Sequence, residues 1–220
     1  MIAEIPELMA GVWRLFPNTI LLTLLVGGIL MARMSWVLVA LGGIITATVT
    51  LMLQYLLGKT GVFPDGNTIP GADIMHACSL LPNATTVSYS VIPSMWVALT
   101  TFLATYITTN AAYITSAAPA GKASSAAISV QQRKGVGVIS ILAITVLFLF
   151  MMFFRFNSRC ENVLSMIAGA AVGIGMGYSW WGILYACGKN TYPDIHGVMS
   201  GLTPGSLRTS PMACTPPSTT

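Results

Sequence analysis

The sequence predicts an all-α integral membrane protein of about five transmembrane helices, with a polar loop and a Pro/Ser/Thr-rich C-terminal tail. Three observations carry this. Hydrophobic residues make up 55% of the 220-residue chain and charged residues 7%, where a soluble domain carries about a quarter charged residues. The mean hydropathy is +0.77. The charges are sparse enough to leave long uncharged runs, each near the roughly 20 residues that a crossing helix needs.

Those runs place the spans at about 14–32, 34–57, 91–115, 135–154 and 162–186. Asn18–Ala32 is uncharged but only 15 residues long, so the first span must borrow from the segment after Arg14; it carries Pro17 and ends at Arg33, so both arginines have to snorkel. The second follows after Arg33 alone, so Ala32-Arg33-Met34-Ser35 reads as a tight hairpin between antiparallel spans. The third is entered through Pro93, a residue tolerated in a first helical turn. The fourth opens after Arg133-Lys134, and the fifth follows a short charged link holding Arg155, Arg159 and Glu161. Residues 1–188 thus form a polytopic membrane domain with a polar loop over 59–90, and residues 189–220 an extramembrane tail. The N-terminus carries Glu4 and Glu7 with no basic leader, so no signal peptide is expected and insertion falls to the spans themselves.

The fifth span holds the most distinctive pattern. Ser165, Gly169, Gly173 and Gly177 recur every fourth residue. That spacing sets small side chains on one helix face, where a second backbone can approach closely in lipid. These four are read as helix-packing residues. Trp180, Trp181, Tyr178 and Tyr185 suit a membrane–water boundary. The threonines of the third span (Thr100, Thr101, Thr105, Thr108, Thr109) suit bonds between helices or back to the backbone rather than a transport pathway.

An odd span count puts the termini on opposite sides. Lys and Arg number four on the face of the N-terminus (Arg14, Lys59, Arg155, Arg159). They number six on the other (Arg33, Lys122, Arg133, Lys134, Lys189, Arg208), which leans toward a cytoplasmic second face. The net charge of +4 is spread over both faces, so nucleic acid is not an expected partner. Cys78 and Cys160 fall on the first face, Cys187 and Cys214 on the second. Each same-face pair can tie a loop or tail to a span end. The expectation is that at least one pair is oxidised, free buried thiols being the alternative. None has zinc-ligand spacing. His76 and His196 lie on opposite faces and cannot act together, and Asn83-Ala84-Thr85 is a glycosylation acceptor pattern that matters only on a luminal face. No catalytic, cofactor-binding or metal residue is expected. The tail from Thr203 cannot bury enough apolar surface to fold alone and calls for a partner.

Two resemblances follow from the motifs. Pro93-Ser94 and Ser158-Arg159 resemble parts of the phosphatidic acid phosphatase superfamily, which presents KxxxxxxRP, PSGH and SRxxxxxHxxxD motifs at a membrane surface. Here Trp96 stands where the PSGH histidine belongs, and Ser165 and Gly169 stand where the second histidine and the aspartate belong. Without either histidine, phosphoryl transfer by that route is excluded. The wider resemblance runs over Cys78 to Cys214. Its elements in order are Cys78, Pro93-Ser94-Met95-Trp96, Tyr106, Asn110-Ala111, Arg133 and Arg155 to Glu161. After these come Gly169/Gly173/Gly177, Trp180-Trp181, Asp194-Ile195-His196-Gly197 and Pro211-Met212-Ala213-Cys214. This order resembles the multi-span virion membrane proteins of large nucleocytoplasmic DNA viruses. The resemblance implies a structural, non-enzymatic protein of a virion's internal membrane, contacting membrane lipids and, through its loops, minor capsid proteins. Same-face disulfides would suit a virion that oxidises its own thiols. The same residues also suit an accessory, non-catalytic subunit of a large cellular membrane complex.

Overall fold

In a computed structural model, the described residues are 4–60, 92–116, 126–157, 161 and 163–188, with the backbone alone described over 4–14 and 126–133. They form five helices: α1 (Glu4–Leu30), α2 (Met34–Thr60), α3 (Met95–Ser116), α4 (Ala126–Asn157) and α5 (Val163–Gly188). Three are long and apolar enough to cross a membrane, over Met34–Thr60, Lys134–Asn157 and Val163–Cys187. Leu15–Leu30 is a shorter apolar stretch. The described residues are therefore helical apart from short connections, and they have the build of an integral membrane protein.

Four of the helices outrun the uncharged stretches that announced them. The first begins at Glu4 instead of residue 14 and continues through Pro17; the fourth begins at Ala126 instead of 135. The second ends at Thr60 rather than 57, and the fifth at Gly188 rather than 186. A charge-free run measures what lipid tolerates, whereas a backbone goes on hydrogen-bonding to itself into the headgroups. The third starts later than expected, at Met95. Pro93 has no N–H to give, and Ser94 takes the cap position, its Oγ accepting the Val97 N–H at 3.3 Å.

The hairpin at Arg33 forms as the sequence suggests. The N–H groups of Met31 and Arg33 close onto the carbonyls of Gly27 (2.9 Å) and Gly28 (2.7 Å). Ala32 takes the left-handed conformation at φ 51, the place where helices commonly end on glycine.

The middle of the bundle is α3, which packs against all four other helices and most extensively on α5. Trp96 to Leu103, Tyr106, Asn110, Ala111 and Ile114 are all buried. The outer helices invert this pattern. The apolar stretch of α4 is only 11% buried, against 33% for that of α2. Protein takes the place of lipid around α3, so it tolerates threonines that an outer helix could carry less easily. Thr100 donates to the Trp96 carbonyl (2.6 Å) and Thr108 to that of Ala104 (2.8 Å). In α2, Thr46 and Thr50 donate to the carbonyls of Gly42 (2.8 Å) and Thr46 (2.7 Å).

Two apolar clusters fill the interior. One gathers Val39, Phe102, Leu103, Tyr106 and Leu184, with Leu21, Met176 and Trp180 packed against them. The other gathers Trp96, Val97 and Met151, with Phe16, Leu147 and Met166 around them.

Candidate functional site

The glycine face of α5 meets α3, as its spacing suggests. A Cβ at Gly169 would stand 2.6 Å from the Ser94 carbonyl oxygen, and one at Gly177 would stand 2.8 Å from that of Phe102. At Gly173 it would collide with the Ala98 carbonyl oxygen and lie 2.8 Å from the Thr101 Cβ. Nothing lies within 4 Å of the position a Cβ would take at Gly175 or Gly182. The close approach therefore belongs to the four-residue series and not to glycine content.

The series continues in both directions, which the sequence reading did not recognise. Four residues before Ser165 stands Glu161; four and eight after Gly177 stand Trp181 and Tyr185. Trp181 and Tyr185 stack with centroids 5.2 Å apart and an interplanar angle of 9°. Tyr113 of α3 meets Tyr185 edgewise at 5.1 Å and Trp181 at a tilt at 5.5 Å. Trp180 also does more than mark a boundary. Its indole donates to the Leu38 carbonyl at 2.9 Å, and its ring lies where a Cβ at Gly42 of α2 would be. Gly137 seats α4 against Ala111 and Thr115 in a similar way.

At the opposite end lies a knot of charged and polar groups. Arg155, at the end of α4, pairs with Glu161 at 2.7 Å, the side chains being only 5% and 3% exposed. Ser94 Oγ donates to Glu161 Oε1 at 2.7 Å, and Ser165 Oγ donates to Oε2 at 3.3 Å. The Ser94 N–H donates to the Ser165 carbonyl at 3.2 Å. The guanidinium lies 4.8 Å from the Trp96 ring centroid, a cation–π contact inside the bundle. From α2, the Gln54 amide donates to the Pro93 carbonyl at 2.6 Å. One carboxylate thus gathers the ends of α3, α4 and α5, and Gln54 ties in α2.

A carboxylate and a guanidinium in a nearly water-free interior are tolerated only with their partners in place. Both oxygens of Glu161 are engaged, so the arrangement serves to hold helix ends in register. The sequence reading counted Arg155 and Glu161 as charges of a short link. The available signal was that Glu161 falls in phase with the glycine series, so it faces α3 rather than water.

Other expected residues are placed as follows. Cys187 is exposed and forms no disulfide among the described residues. Cys78, Cys160 and Cys214 lie outside the described residues, as do His76, His196, Asn83, Ser158 and Arg159. Among the described residues there is no cluster of three or more His, Cys, Asp or Glu able to hold a metal ion. Of the phosphatase-like positions within them, Ser94 and Ser165 are bonded to Glu161, Trp96 lies against Arg155, and Gly169 packs on the Ser94 carbonyl.

No family model, curated protein or solved structure matches the chain. Its class is thus defined by its own build: among the described residues, a helical bundle with three helices fit to cross a membrane.

Proposed function

We propose that this is a structural protein of a membrane-containing assembly, in which all five helices cross the bilayer. At 22 residues, α3 would reach about 33 Å, enough for the hydrocarbon core of roughly 30 Å. The assembly favoured is a virion with an internal membrane, where the bundle packs among lipids and meets minor capsid proteins through its loops and tail. One observation carries the structural role. The distinctive groups of the chain, from Glu161 through Gly169, Gly173 and Gly177 to Trp181 and Tyr185, meet side chains or backbone of another helix.

Depletion of the protein during particle formation tests this. Membranes that fail to acquire an ordered capsid are the expected result; particles of normal yield and shape would sink the proposal. An accessory subunit of a cellular membrane complex would instead reveal itself by loss of that complex's activity. A phosphatase-like activity would require turnover of a lipid phosphate that Arg159→Ala abolishes, and none is expected.

A further inference from the structure

We infer that α4 is a separable arm of the bundle, latched by the Arg155–Glu161 pair and released when acid neutralises Glu161, whichever assembly holds the protein. Little else holds α4. It is the least buried of the three candidate spans; it packs on α3 and touches the other helices marginally at most. The remaining four are tied together without it: α1 to α2 by their hairpin, α2 to α3 and α5, and α3 to α5 along the glycine face.

The end of α4 is fixed by charge. Arg155, in its last turn, pairs with Glu161 at 2.7 Å, and both side chains are shut off from water. Among the described residues, Arg155 is the one charged group facing Glu161. From α3 come Ser94 and Trp96, from α5 Ser165, and from α2 the Gln54 amide, on the adjacent Pro93 carbonyl. Helix α1 brings Phe16 to the cluster around Trp96. None of these neighbours titrates or carries charge.

A proton and the guanidinium compete for the same carboxylate. The latch is shut while Glu161 is charged and is lost as the pH falls and the carboxyl becomes neutral. Arg155 is then a buried cation among neutral partners, which is costly. Long basic side chains relieve such burial by reaching for the interface. Shifting the end of α4 by one helical turn, about 5 Å, carries a guanidinium in its last turn beyond the helix end. The pivot is the far end, where Gly137 sits against Ala111 and Thr115. Acid thus uncovers the flank of α3 around Trp96, against which Arg155 and Met151 rest.

Distances between paired nitroxide labels, measured on the full-length protein in lipid nanodiscs, read this movement. With Cys78, Cys160, Cys187 and Cys214 replaced by serine, one variant carries Phe153→Cys on α4 and Ile167→Cys on α5. A control carries Met52→Cys on α2 and Ile167→Cys. All three labelled positions are more than half exposed. Between about pH 7.5 and about pH 4, across the ordinary range of a carboxylate, the α4–α5 distance should lengthen by about 5 Å while the α2–α5 distance stays. Glu161→Gln should show the long distance already at the higher pH. Adding Arg155→Met, which removes the stranded cation, should restore the short one at both pH values. No lengthening in Glu161→Gln would overturn the latch, and lengthening there with none in the acidified parent would overturn the acid release. The parent and the double variant decide the matter even if the single variant is not recovered: a double variant that lengthens with acid as the parent does overturns the inference. Movement of the α2–α5 pair along with the first would mean that the whole bundle loosens and that α4 is no separate arm.

Discussion

Removing the carboxylate from the knot beneath Trp96 perturbs the bundle where several helices meet, and the cost follows from burial. Glu161→Gln keeps the shape of the side chain but deletes the charge opposite Arg155. It also gives Ser94, which donates to Oε1 at 2.7 Å, a weaker acceptor or a competing donor. The pair is 5% and 3% exposed, so water and salt can do little to screen the guanidinium left behind. Breaking a buried pair from one side costs about 3–5 kcal/mol, against about 0–1 for a surface pair. Arg155→Met alone leaves an unpaired carboxylate and should cost a similar amount. The double variant, with neither charge, should recover most of the loss, because no uncompensated charge is then left buried. Reversible unfolding in mixed micelles, run as a double-mutant cycle, measures all four corners. Single variants within about 1 kcal/mol of the parent, with no coupling between the sites, would refute the reasoning and return Arg155 and Glu161 to the status of surface charges.

Three further outcomes follow from particular contacts. Gly173→Leu should disrupt the α3–α5 contact, since even a Cβ collides with the Ala98 carbonyl; Gly175→Leu, where a Cβ meets nothing, and Leu164→Ile should be recovered in the membrane at parental levels. Ala32→Gly should raise stability by up to about 1 kcal/mol in the same unfolding assay, because φ 51 is strained for any residue with a Cβ. Thr101→Val should be neutral or mildly stabilising, as the buried Thr101 hydroxyl has no hydrogen-bond partner among the described residues; a loss above about 2 kcal/mol would mean that the hydroxyl is bonded.

The order of helices and the packing face of α5 were legible in the sequence because both depend on local pattern: uncharged length for one, four-residue spacing for the other. The threonine back-bonds were legible for the same reason, since a hydroxyl reaches its own helix wherever that helix goes. Helix ends were less so, because Glu4 to Leu15 and Ala126 to Lys134 continue as helix where charge no longer signals lipid. The central position of α3 was hidden by its own composition. Its threonines read equally as bonds between helices or back to the backbone, and only the placement of its neighbours shows that it is wrapped in protein. The Arg155–Glu161 pair was hidden by its place in the chain, six residues apart across a helix end, where linear reading finds a loop.

The most direct test of the structural role is gentle detergent extraction of the tagged full-length protein from assembling particles, followed by mass spectrometry of what stays bound. The account predicts capsid proteins in constant ratio to this chain, lost when Gly173→Leu opens the α3–α5 seam. A bare monomer, or the subunits of a cellular enzyme in place of capsid proteins, would contradict it.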